Sequence, residues 1–238
     1  MLGAGPVLAE DKKEETAKPA KKWSLAIRGG ITLNAGNTDS QLFTGGAEFN
    51  LKSAKVEYQT NIEAFYGAGK NVETVNKGKW FHKIAHKIKN RFGGYVALTM
   101  EYDKFAQIAF RGNGGLGLRY TFKDTPNTSS YLAAGLNGEF TEALKNITDM
   151  GSFRFNLNYT LARTLSPSAK FNIDLLHTSN WGSFFNDYRL EMKASLSVMV
   201  KNPFNLKVEI QEKYTNHPLE ENLQKNDFIL VTSLEVSL

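Results

Sequence analysis

The sequence predicts an all-β protein: a single closed, antiparallel, transmembrane β-barrel of about twelve strands over residues 23–238. Three observations predict it. Apolar and polar residues alternate with a period of two along most of the chain, which gives each strand two faces in different environments. The alternating runs reach about ten residues, the length of a tilted strand crossing a bilayer, whereas soluble strands average about 5–6. The connections alternate between longer and shorter, as in membrane barrels with long external loops and short periplasmic turns.

Composition narrows the classes. With 238 residues the chain is long enough for one large β domain, and with no cysteine it has neither a disulfide framework nor a thiolate metal site. The net charge of +5 is spread along the chain, with no basic stripe interleaved with stacking aromatics, which argues against a nucleic-acid partner. The mean hydropathy is −0.37. No apolar run approaches the roughly 20 residues of a spanning helix, and barrel strands, being half polar, average out to such values. At the start, Val7-Leu8-Ala9 resembles the end of a secretory signal, so residues 1–9 read as a signal-peptide remnant. Residues 10–22, "EDKKEETAKPAKK", have nothing to bury and read as a flexible, charged periplasmic tail.

The elements follow in order. Trp23, Leu25, Ile27, Gly29, Ile31 and Leu33 share one face of the first strand, and "AGNTDS" turns the chain. Phe43, Gly45, Ala47, Phe49 and Leu51 form the second, and "SAK" is a tight turn. Val56, Tyr58, Thr60, Ile62 and Ala64 form the third, before the longer "GAGKNVETVN". The fourth carries Trp80, His82, Ile84, His86 and Ile88 on one face, and "KNRFG" and "DKFAQ" bracket the fifth. Leu116, Leu118, Tyr120 and Phe122 mark the sixth; "KDTPNTSS" and "TEALKNITDM" bracket the seventh. Phe153 to Leu161 alternate in the eighth, then "SPSA". Phe171, Ile173 and Leu175 lead the ninth into "HTSNWGSFFND". Tyr188 to Val200 form the tenth, then "KNPFN"; Leu206, Val208 and Ile210 the eleventh, then "TNHPLEENLQK"; Phe228 to Leu238 the last.

Aromatics gather at both strand ends, as two girdles at the headgroup levels require. Tyr66, Trp80, Tyr102, Phe140, Trp181, Tyr188, Tyr214 and Phe228 mark the outer level. Trp23, Phe92, Tyr120, Phe122, Tyr131 and Phe204 mark the inner one. Backbone in lipid must pair every N–H and C=O, so the first and last strands must meet. An even strand number puts both termini on the periplasmic side.

Three stretches, "GGITLNAGNTDSQLFTGGAEFNLK", "YDKFAQIAFRGNGGLGLRYTF" and "KNDFILVTSLEVSL", resemble the first hairpin, central motif and closing strand of the salt-induced outer-membrane proteins. That is a bacterial family of unknown function. The resemblance spans residues 23–238 as short motifs and implies an outer-membrane barrel of Gram-negative type. It also implies lipid and lipopolysaccharide as surroundings, and the barrel-assembly machinery as a partner during insertion. The terminal Leu238 departs from the Phe or Trp with which assembly signals of such barrels usually end.

The polar faces should line the lumen. Arg28, Glu48, Glu57, Glu63, Arg111, Arg119, Glu139, Arg154, Arg189, Glu191, Lys193, Lys207, Glu209 and Asp227 are the expected lining. Both signs occur in similar number, so the lining can pair with itself and fill the lumen, or leave a narrow, weakly selective channel. Twelve strands lie between small filled barrels and open 16-stranded porins. The glycines of "RGNGGLGLRY" lack the strand-to-helix setting and Lys-Ser/Thr of a phosphate loop; they relieve crowding or mark a bend. "HKIAH" has Lys83 where a zinc protease has glutamate, so neither a metal nor another cofactor is expected. His82 and His86 instead face lipid, which is costly unless they are covered, for instance by a second copy in a homo-oligomer.

By parity His177 and Ser179 also face lipid, at the outer end of the ninth strand. A hairpin symmetric about residues 181 and 182 sets His177 opposite Asn186. The run His-X-Ser-Asn resembles the active site of the outer-membrane phospholipase A family, whose His, Ser and Asn face lipid, and the lipid A deacylases use a similar His-X-Ser. The resemblance implies Ser179 as nucleophile, His177 as base and Asn186 as orienter. Here Asn186 follows His177 more closely than in that family, and Glu191 stands at the family's Asn spacing. The other reading is a polar strand end with turn contacts. The expected role is therefore structural or passive, in envelope maintenance or as a narrow pore, linked to salt or osmotic stress through the family resemblance alone. Lipid hydrolysis is the alternative.

Overall fold

The computed structural model describes residues 23–34, 40–70, 72–144, 150–220 and 223–238; the expected signal remnant and charged tail lie outside the described residues. Twelve antiparallel strands close into one barrel. They are β1 (Trp23–Asn34), β2 (Ser40–Lys52), β3 (Val56–Gly69), β4 (Val72–Lys89), β5 (Phe92–Asp103) and β6 (Ile108–Thr125). β7 (Thr128–Ala143), β8 (Met150–Ser166), β9 (Ala169–Asn180), β10 (Tyr188–Lys201), β11 (Phe204–Thr215) and β12 (Asn226–Ser237) complete it. Each strand pairs with its sequence neighbours, and β1 pairs with β12 from Ala26↔Ser237 to Gly29↔Leu234. That seam leaves the sheet without an edge, the condition for a sheet in hydrocarbon.

The wall is inside-out relative to a soluble core. Ile27, Ile31, Ile62, Ile84, Val96, Leu116, Leu118, Leu136 and Leu230 are each half or more exposed and face outward. The buried polar and charged residues Glu63, Lys83, Arg111, Arg119, Glu139, Arg154, Arg189, Lys207 and Glu209 face inward. An apolar surface this continuous belongs in lipid, because water-exposed patches on soluble monomers rarely exceed a few hundred Å².

Connections are short at one end, where Ser53–Lys55, Asn90–Arg91, Pro126–Asn127, Pro167–Ser168 and Asn202–Pro203 turn the chain. They are longer at the other, with residues 181–187 and 216–225 the longest of the fully or mostly described ones. We call these the turn end and the loop end. One loop-end connection departs from expectation. The stretch "GAGKNVETVN" is mostly strand: β3 runs to Gly69 and β4 starts at Val72, with a register shift between Gly67 and Ala68. Thr74 and Val75 are good strand formers, and the hydrogen-bond ladder carries on through the glycines. "KDTPNTSS" shortens in the same way, to Pro126 and Asn127.

Two aromatics occupy other places than the girdles. Tyr131 points into the lumen, where it accepts a hydrogen bond from Lys83 Nζ at 2.9 Å. Trp80 lies well inside β4 because that strand starts earlier than its sequence pattern suggests. There it packs edge-on against His82 at 4.3 Å between ring centroids, while Tyr58 Oη sits 3.2 Å from His82 Nδ1. A lipid-facing histidine is thus satisfied within the wall, which offsets its desolvation.

Candidate functional site

The lumen is the site the fold builds. Every strand turns alternate side chains inward, so its chemistry follows from register. Near the loop end, one carboxylate collects three guanidinium groups. Arg189 donates to Glu139 through both terminal nitrogens at 2.7 and 2.6 Å, Arg154 Nε donates at 3.0 Å, and Arg111 Nε lies at 3.8 Å. Arg154 also grips Asp187 with two bonds of 3.0 and 2.9 Å, and Arg111 donates to Glu101 at 2.5 Å and to Thr141 at 3.0 Å. Burying several charges is tolerable only when each is paired and hydrogen-bonded, and this web meets the condition.

Asp187 stands just before β10, outside the wall. Burial works to raise its pKa, but the hydrogen bonds and charge of Arg154, with help from Asn180 and Arg189, outweigh that and hold it below the usual carboxylate range.

Midway down, Glu63 is the second hub. It pairs with Lys193, and with Arg28 at 3.4 Å, while Gln211 approaches at 3.5 Å. Arg28 also lies 4.0 Å from Glu48, and Lys207 pairs with Glu209 at 2.7 Å. Toward the turn end, Arg119 pairs with Glu57, and Lys52 reaches Asp124 at 3.1 Å. Lys83 stacks over the rings of Tyr131 and Tyr95 at 4.5 and 5.4 Å. Tyr95 needs the central glycines. A Cβ on Gly117 would collide with its ring and with the Ala134 carbonyl, and one on Gly135 with its hydroxyl. Gly117 of "RGNGGLGLRY", with Gly135 on the neighbouring strand, therefore makes the floor on which a lumen aromatic lies.

Among the described residues, two pairs join strands on opposite sides of the barrel. Lys79 Nζ lies 2.9 Å from Glu191 Oε2, and Lys213 Nζ lies 3.6 Å from Glu101 Oε1. β4 and β10, like β5 and β11, are six strands apart in either direction round the ring. A circular twelve-stranded barrel would be about 24 Å across from backbone to backbone, given the strand spacing and tilt. An extended lysine and glutamate together reach only about 11 Å. The cross-section is therefore flattened at this level, with the two pairs bridging its short axis. A cavity of about 70 Å³ remains beside them, lined by Glu63, Lys79, Glu101, Glu191, Lys193, Lys213 and Asp227 among others. It has room for a few waters and not for an organic solute. Asp227, at its mouth, pairs with Lys77 at 3.9 Å.

The other candidate cluster is only partly assembled. Ser179 Oγ lies 3.1 Å from His177 Nε2. His177, however, is opposite Leu190 and not Asn186, because the hairpin is centred near residues 183 and 184: the backbone N–H of Asn180 bonds the Asp187 carbonyl, and β10 begins at Tyr188. Asn186 stays in the loop, where its carbonyl accepts from Asn216 at 3.0 Å. Ser179 is fully buried. Phe155 and Tyr188 flank it in the register, and Phe184 packs on both Phe155 and His177. Its hydroxyl is shielded by these neighbours among the described residues.

Sequence reasoning missed the crossing pairs and the turn-end role of Tyr95 and Tyr131. Lys79 and Lys213 carry a signal, each being a charge on a lumen parity; which strand they would meet is not written in the alternation.

Residues 27–238 match the family described as "Protein of unknown function, DUF481", and the chain belongs to that family. No curated protein matches it in sequence. Among solved structures it is similar to the NanC porin, at 10% identity and TM-score 0.49, covering 90% of this chain and 97% of that one. It is also similar to the translocator domain of the autotransporter NalP from Neisseria meningitidis, at 10% identity and TM-score 0.47, covering 92% and 88%. A third is an anion-selective porin from Comamonas acidovorans, at 5% identity and TM-score 0.42, covering 91% and 98%.

Proposed function

We propose that this member of a family of unknown function is an outer-membrane barrel with a structural or passive-transport role, whose lumen is throttled to a narrow, water-filled path. The observation that carries this is the pair of ion bridges across the short axis, Lys79–Glu191 and Lys213–Glu101. An open diffusion pore keeps its charges on the wall. Here they meet in the middle, and the space beside them suits water and small ions. The apolar exterior supports placement in a bilayer, and the closed sheet with its short and long ends supports the outer membrane with both termini periplasmic.

Planar-bilayer recording tests the reading. The purified chain should insert and give either no steps or steps far below those of an open 16-stranded porin, with little ion preference. Steps of porin size from the unmodified chain would refute it.

A further inference from the structure

The turn end carries a chemistry that the lumen does not use. Lys89, Lys123, Arg163 and Lys201 lie there, exposed, and none forms an ion pair among the described residues. The pairs found at that end belong to Lys52 and Arg119 with Glu57 and Asp124.

Their placement is built by a repeated irregularity. The register slips by one residue between Lys87 and Lys89, between Thr121 and Lys123, and between Met199 and Lys201. In each case the extra residue is an exposed, outward apolar one: Ile88, Phe122 and Val200. A bulge of this kind turns the next side chain to the opposite face from the one strict alternation would give it. Lys89, Lys123 and Lys201 would otherwise point into the lumen. Instead Lys89 is registered beside Phe92, Lys201 beside Phe204, and Lys123 beside Ser130, all on the outer face. Arg163 reaches that face without a bulge, beside Phe171. Three of the four turn-end hairpins, β4–β5, β8–β9 and β10–β11, thus set a cation opposite an outward phenylalanine, and in β6–β7 Lys123 directly follows the outward Phe122, all at the edge of the apolar wall.

From this we infer that the turn-end rim is a collar that binds the headgroups of anionic phospholipids in the adjoining leaflet; the inference rests on the bilayer-spanning reading above. Aromatic rings settle at the headgroup level, and lysine and arginine stems reach past them to the phosphates. A soluble anion entering the lumen is the less suited ligand, because the four cations stand on the far side of the wall from it. The expected chemistry is a lipid phosphate with net negative charge, held by one cation per hairpin and weakened by salt.

The test uses the full chain in bilayers of phosphatidylcholine containing phosphatidylglycerol, with spin-labelled lipids reporting the share of each species held at the protein surface. The unmodified chain should hold phosphatidylglycerol several-fold over phosphatidylcholine. The combined variant Lys89→Gln, Lys123→Gln, Arg163→Gln and Lys201→Gln should lose that preference. The control Lys87→Gln with Lys170→Gln, two rim lysines registered on the lumen face opposite Gly93 and Thr164, should keep it. Absence of a preference in the unmodified chain, or an equal loss in the control, overturns the proposal. If the combined variant does not assemble, the four single substitutions replace it, each expected to remove part of the preference; four unchanged values overturn the proposal. Failure of the underlying barrel reading looks different: the chain would not insert, and its strands would be open to protease.

Discussion

Lys79 Nζ sits 2.9 Å from Glu191 Oε2, although the two strands that carry them are diametrically opposed in the ring. A bond of that kind does more than satisfy two charges. It draws β4 toward β10, sets the short axis of the lumen and occupies the space a solute would need.

Removing it should open the path. The double substitution Lys79→Ala and Glu191→Ala takes out both charges, so neither partner is left buried alone. We expect larger single-channel steps than in the unmodified chain, by roughly two- to tenfold. Bilayer recording checks this, and unchanged steps would place the constriction elsewhere.

Glu139 should matter more to stability than to conductance. Its replacement by glutamine leaves Arg111, Arg154 and Arg189 facing one another with a single nearby carboxylate lost. Breaking a buried pair by removing one partner typically costs about 3–5 kcal/mol. Urea unfolding in detergent micelles, followed by tryptophan fluorescence, should show that drop, and Glu191→Gln, on the rim of the cavity, should show less.

Asp187 makes the loop between β9 and β10 sensitive to acid. Its folded pKa lies below its unfolded one, so the stabilisation is fully present above the ordinary aspartate value and is lost as pH falls through the lowered folded value. Hydrogen exchange of residues 181–187 should therefore be slow at neutral pH and accelerate on strong acidification. Asp187→Asn should remove that pH step and show fast exchange throughout.

Gly117→Ala should be costly for a small change. The added methyl meets the Tyr95 ring and the Ala134 carbonyl at once, and overpacking of this kind costs about 1–3 kcal/mol. Adding Tyr95→Ala should return part of the loss, because the ring yields but the carbonyl does not. Thermal shift of the detergent-solubilised barrel reads both.

Ser179→Ala tests the hydrolase alternative. With the hydroxyl buried against His177 and covered by aromatic rings, the unmodified chain should release no fatty acid from mixed phospholipids with calcium. The variant should differ only by slightly lower stability. Release that depends on Ser179 would reverse this reading.

The alternation by itself determined the class of fold and the two faces. A period of two held over long runs leaves a closed sheet between lipid and a polar interior as the arrangement that satisfies both faces and the backbone together. It also assigned the charges from Arg28 to Asp227 to one face of their strands, as an expectation. What it left open depends on residues far apart in sequence. Glycine-containing "GAGKNVETVN" read as loop because local propensity cannot see the neighbouring ladder. His177 met Leu190 and not Asn186 because one loop's internal hydrogen bonds shifted the centre of its hairpin by about two residues. Bulges moved Lys89, Lys123 and Lys201 across the wall, since a single extra residue inverts every parity that follows. The openness of the lumen was decided last, by whether charges on opposite strands could touch. That distance belongs to the closed, flattened ring and to no stretch of the chain alone.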